Sequence, residues 1–168
     1  TAVEDDALQI HYQPLVNLET GRVCGFEALS RWEDPQRGFV PPTTFIALAE
    51  EIGLIEVIGE RILRRACMEA VGWPPHIRVA VNLSPAQFQS GNLVALVEAA
   101  LAESGLPAGR LELEITESIF LRGSEANLGL LSQLGELGVR ISMDDFGTGY
   151  SSLSYLRSFA FDKIKIDK

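Results

Sequence analysis

Two segments of this chain alternate between polar and apolar residues, inside a chain that itself alternates between strands and helices. Few folds accept both patterns. In residues 111–116 (LELEIT), Glu112, Glu114 and Thr116 share one face of an extended segment, and Leu111, Leu113 and Ile115 share the other. Residues 162–167 (DKIKID) repeat the arrangement, with Lys163, Lys165 and Asp167 opposite Ile164 and Ile166. Strands separated by helical segments predict βαβ units and a parallel sheet. A parallel sheet covered by helices on both sides is apolar on both faces. One polar face, charged towards the C-terminal strand ends, instead predicts a TIM-like α/β barrel. Its apolar side chains meet an outer layer of helices, and its polar ones point inward at the mouth.

The remaining elements fit this frame. Residues 8–16 and 22–29 read as two strands joined by the turn cluster NLETGR, forming a hairpin. Residues 32–42 carry three prolines and a glycine and read as loop. Thr43 or Thr44 is placed to cap a helix that ends at Gly53. Residues 55–71 place Ile58, Ile62, Leu63, Ala66 and Ala70 at helical spacing. Strands at 77–83, 111–116, 139–143 and 162–167 then alternate with helices at 92–103, 124–137 and 151–157. A complete eight-stranded barrel needs roughly 250 residues. The chain therefore reads as about the first six strands of a barrel whose parent continues past Lys168, because a barrel cut there exposes an unpaired edge.

Charge excludes some functions. The 168 residues carry a formal net charge of −9, which argues against direct binding to DNA, RNA or an anionic membrane. Cys24 and Cys67 lie far apart in apolar settings, as buried reduced thiols do, and suggest the cytoplasm. No run approaches the ~20 apolar residues of a membrane span. The N-terminal TAVEDDALQ is acidic, unlike a signal peptide.

The polar residues at successive strand ends form a chemical set: Gln13, Glu27, Asn82, Glu114, Asp144 with Asp145, and Lys165. Taken singly, several have plain explanations. Glu27 alone reads first as a surface residue and Asn82 first as a cap for the Ser84-Pro85 turn, and Arg31 reads also as a partner of Trp32 or Glu33. Glu112 and Glu117 read as solvated and Lys163 as a rim residue. Among them, the four carboxylates and the Asn82 carboxamide offer oxygen ligands, without histidine or cysteine. That suits Mg²⁺, Mn²⁺ or Ca²⁺ rather than Zn²⁺. Five such residues could hold two ions sharing an aspartate, an arrangement suited to in-line displacement at phosphorus. Arg31, four residues past Glu27, is placed to clamp a phosphate.

These residues lie in motifs that resemble one family. Glu27-Ala28-Leu29 with Arg31, YQP at 12–14, VNLSP at 81–85, LEITES at 113–118, DDFGTGYSSL at 144–153 and KID at 165–167 resemble the signatures of the EAL-domain cyclic di-GMP phosphodiesterases. The resemblance covers nearly all of residues 1–168, which read as one EAL domain incomplete at its C-terminus. It implies a TIM-like barrel with one antiparallel strand. The implied reaction is hydrolysis of cyclic di-GMP to linear pGpG with Mg²⁺ or Mn²⁺, inhibited by Ca²⁺. By resemblance, Glu27, Asn82, Glu114, Asp144 and Asp145 are metal ligands, with Asp145 also near the substrate. Glu27, Asp144 and Lys165 serve catalysis, Lys165 positioning or helping to deprotonate the attacking water. Gln13, Leu29 and Arg31 contact the dinucleotide. The resemblance also implies a homodimer through the region near 144–153, and adjoining sensor or GGDEF-type domains in the parent protein. The family's further catalytic glutamate and a substrate-holding glutamine follow the KID strand, beyond residue 168. A receptor of the same fold that binds cyclic di-GMP without cutting it is the alternative reading. A regulatory domain indifferent to nucleotide is a second.

Overall fold

The structure, a computed structural model, describes residues 8–121, 124–146 and 159–166. Its strands are β1 (Leu8–Val16), β2 (Val23–Asp34), β3 (Gly38–Val40), β4 (Arg78–Leu83), β5 (Leu111–Thr116), β6 (Arg140–Phe146) and β7 (Lys163–Ile166). Its helices are α1 (Pro42–Glu51), α2 (Ile55–Val71), α3 (Pro85–Gln89), α4 (Leu93–Ser104), α5 (Ser118–Leu121) and α6 (Ser124–Glu136). The sheet runs β1-β2-β4-β5-β6-β7, with β3 paired to β2 off this path. β1 is antiparallel to β2, and every later pair along the path is parallel. The fold is mixed α/β with a mainly parallel sheet, in agreement with the expected first six barrel strands.

The period-2 pattern decides which side of the sheet is dry. Val79, Val81 and Leu83 of β4, Leu111, Leu113 and Ile115 of β5, and Ile141 and Met143 of β6 are all buried. They pack into one core with Leu63, Ala66, Cys67 and Ala70 of α2, Leu93 and Val97 of α4, and Leu131 and Leu134 of α6. Each large aliphatic side chain buried this way contributes about 1.5–3 kcal/mol. The core thereby fixes the strand register and directs Glu27, Asn82, Glu114, Asp144 and Lys165 together to the opposite face. Two further contacts brace this frame. Arg110 donates to the carbonyls of Ala70 (2.7 Å) and Ile77 (2.9 Å), tying the end of α2 to the approach to β4. Gly59 of α2 lies against Gln87 of α3 so closely that a Cβ there would fall 2.4 Å from Gln87 Nε2.

Several expectations need correction. Residues 32–42 are not a loop throughout, because β2 runs on to Asp34 and β3 pairs back onto it through Trp32, Glu33 and Asp34. Asp34 Oδ1 accepts from the Gln36 and Arg37 amides at 2.9 and 2.8 Å, so the turn is confined to the residues between the strands. Neither Thr43 nor Thr44 caps α1; the helix starts at Pro42, and the Thr44 and Phe45 amides bond the Pro41 carbonyl. The helices α3 and α5 were not expected. The helix expected at 151–157 and Asp167 lie outside the described residues. Cys24 and Cys67 are both free thiols, and Cys67 is fully buried. Among the described residues, no helix is long and apolar enough to cross a membrane.

Candidate metal and phosphate site

Lys165 organises the site. Its Nζ donates to Glu114 Oε2 at 2.6 Å, Glu27 Oε2 at 3.0 Å and Asp144 Oδ2 at 3.3 Å. Asn82 Nδ2 donates to Glu27 Oε1 at 2.8 Å. Five strands thus send one side chain each to a single point. Glu27, Glu114 and Asp144 each offer an oxygen, and these atoms lie within 4.8 Å of one another. Gln13 is the cross-strand partner of Glu27 on β1, and so lies beside the cluster on the same face.

A local irregularity shapes the edge of the site. Met143 pairs with Ile164 and Phe146 with Ile166, so Asp144 and Asp145 together oppose Lys165 in a β-bulge. Asp145 adopts φ +55, the one non-glycine residue with positive φ among the described residues. A left-handed conformation costs a non-glycine residue roughly 1–2 kcal/mol. The surrounding sheet holds that strain inside β6, one residue before the strand ends. Asp145 is exposed and its amide bonds Asp144 Oδ1 at 3.0 Å. The three-carboxylate cluster does not include it.

Electrostatics separate the acids. Burial pushes the Glu114 carboxyl up to about 7; bonds from Lys165 oppose the rise and the charge of Glu27 adds to it. Burial also works against the Glu27 carboxylate, but hydrogen bonds from Lys165 and Asn82 outweigh it and hold the group below its ordinary value. Burial disfavours the Lys165 ammonium, and its bonds to Glu114 and Glu27 more than offset this, raising its pKa. One ammonium is shared among three acids, and Glu114 is the most deeply buried of them. A divalent cation fits such a set. The donors are all oxygen, and Glu114 Oε1 is buried without a hydrogen-bond partner.

A groove of about 400 Å³ opens beside the cluster, between β2, β4 and the helices α1 and α2. Leu29, Arg31, Asn82 and Thr116 line it together with the apolar Ile46 and Ile55. Arg31 neither stacks on Trp32 nor bridges to Glu33 through any contact seen; its Nη1 donates to the Ser30 carbonyl at 2.9 Å.

Two inner-face residues had been set aside in the sequence. Glu112 is not solvated: it is 3% exposed and ion-paired with Lys163. Lys163 is not on the rim, since β7 places it one inward-facing position before Lys165, below the mouth. Their parity with Glu114 and Lys165 was the available signal.

The family model described as "EAL domain" matches residues 1–168. The chain is 56% identical over 167 residues to the uncharacterized protein y4lL of Sinorhizobium fredii, covering 99% of this chain and 20% of that protein. It is 43% identical over 171 residues to the cyclic di-GMP phosphodiesterase NbdA of Pseudomonas aeruginosa, covering 99% of this chain and 22% of that protein. The chain therefore spans about a fifth of the length of these relatives. Among solved structures, the MucR phosphodiesterase in complex with c-di-GMP superposes with a TM-score of 0.93 at 46% identity, over 99% of this chain and 69% of that one. Motifs, strand order and the whole-length match agree, and the chain belongs to the EAL domain family.

Proposed function

We propose that this domain is a divalent-cation-dependent phosphodiesterase that hydrolyses cyclic di-GMP to linear pGpG. The observation that carries the reading is the convergence of Glu27, Glu114 and Asp144 oxygens within 4.8 Å beside a lysine, at the mouth of an EAL-type sheet. In this reading Glu27, Asn82, Glu114 and Asp144 hold Mg²⁺ or Mn²⁺, and Asp145, presented by the bulge, extends the donor set to two ions. Bound cations would supply Lewis-acid charge to the phosphoryl oxygens and acidify the attacking water. Lys165 holds that water in line with the phosphorus and orients the carboxylates around it. Glu27 and Asp144 flank the same point. Gln13 and Arg31 bind the dinucleotide, and Leu29 packs against it in the groove.

Arg31→Ala is expected to weaken substrate binding through loss of a charged hydrogen bond of about 1.5–3 kcal/mol. That appears as a KM raised roughly tenfold or more with kcat little changed; an unchanged KM removes Arg31 from the binding set. The function itself is tested by incubating the protein with cyclic di-GMP and Mn²⁺ and separating the products. Linear pGpG that disappears with EDTA is the expected result. Tight binding of cyclic di-GMP without pGpG in Mn²⁺ makes the domain a receptor, and no binding at all makes it a regulatory module.

A further inference from the structure

Beneath the acidic cluster lies a second charged pair that the reading above does not use. Lys163 Nζ is ion-paired with Glu112 and stands 3.9 Å from Glu114 Oε1. Glu112 is 3% exposed and Glu114 0%, so little water reaches the two carboxylates, while the Lys163 side chain between them and solvent is 35% exposed. Arg140, the cross-strand neighbour of Glu112, is turned to Asp162 at 3.2 Å. Above, Glu114 Oε2 is taken by Lys165. Oε1 is buried and accepts no hydrogen bond. The Lys163 ammonium is close enough to swing onto that oxygen, and its pairing with Glu112 keeps it off.

We propose that Glu112 is a positioning residue that restrains Lys163, leaving one oxygen of Glu114 without a proton donor so that the carboxylate can serve a divalent cation. The inference rests on the reading of the cluster as a cation site and adds a mechanism beneath it. Removing Glu112's charge alone frees the half-buried Lys163 ammonium, whose nearest remaining carboxylate is Glu114 at 3.9 Å, and there it competes with the cation. Removing both charges leaves nothing to compete. A pair that merely filled space would show no such reversal.

The test is Mn²⁺ affinity by isothermal titration calorimetry on the intact protein and its variants, with cyclic di-GMP turnover measured in parallel. Glu112→Gln is expected to bind Mn²⁺ about tenfold more weakly. Glu112→Gln with Lys163→Met is expected to return to within about twofold of wild type. Lys163→Met alone is expected to bind at least as tightly as wild type, and it keeps the test open should Glu112→Gln not fold. Wild-type affinity in Glu112→Gln, a double variant as weak as the single one, or weakened binding in Lys163→Met overturns the proposal. Wild-type protein that binds no Mn²⁺ overturns the cation-site reading itself, and this inference with it.

Discussion

Glu27→Ala and Asp144→Ala are each expected to lower turnover of cyclic di-GMP by about a thousandfold, the loss expected when a divalent cation worth several kcal/mol in the transition state is displaced. Both side chains offer an oxygen to the cluster and both accept from Lys165. Glu27→Ala also strands the Asn82 amide, whose Nδ2 bonds Glu27 Oε1. Neither residue belongs to the helix-covered core, so the variants should keep the wild-type fold by circular dichroism. Steady-state assays at saturating Mn²⁺ decide the matter. Wild-type turnover in either variant, with the fold intact, removes that residue from the site.

Lys165→Met should change stability and turnover together, and in a way that exposes what the lysine does. With the ammonium gone, Glu27, Glu114 and Asp144 face one another with no opposite charge at the centre. Removing one partner of a buried ionic group typically costs about 3–5 kcal/mol, so the cation-free variant is expected to melt well below wild type. Saturating Mg²⁺ supplies the missing charge and should recover most of the loss, giving a larger thermal shift than wild type shows. Turnover should stay low at the restored Tm, because the group proposed to hold the water is absent. An unchanged Tm without cation, or full activity with it, would contradict the role given to Lys165.

The period-2 pattern carried most of what the sequence disclosed. Once LELEIT and KIKID were assigned a dry and a wet face, the inward side chains followed from parity alone, and Glu114 and Lys165 meet as that parity requires. What parity could not supply was depth. Glu112 and Glu114 differ by one step along the same face, and an isolated glutamate in a strand is more often solvated. Glu112 is buried because a lysine 51 residues away in sequence arrives opposite it, a pairing invisible until β5, β6 and β7 are in register. The hairpin at 32–42 was hidden for a different reason. The prolines there lie in the turn and beyond β3, outside the paired residues, so they mark the bend and the exit without breaking the ladder. The left-handed Asp145 could not have been foreseen, since aspartate tolerates that conformation without demanding it.

In the proposed reading, side chains from four strands converge to hold a hard cation beside the lysine of a fifth. Diffraction from crystals grown with Mn²⁺ and cyclic di-GMP, recorded at the manganese absorption edge, tests it most directly. The account predicts an anomalous peak about 2.0–2.3 Å from oxygens of Glu27, Asn82, Glu114 and Asp144. A peak elsewhere on the protein, or none at this cluster under saturating Mn²⁺, would contradict it.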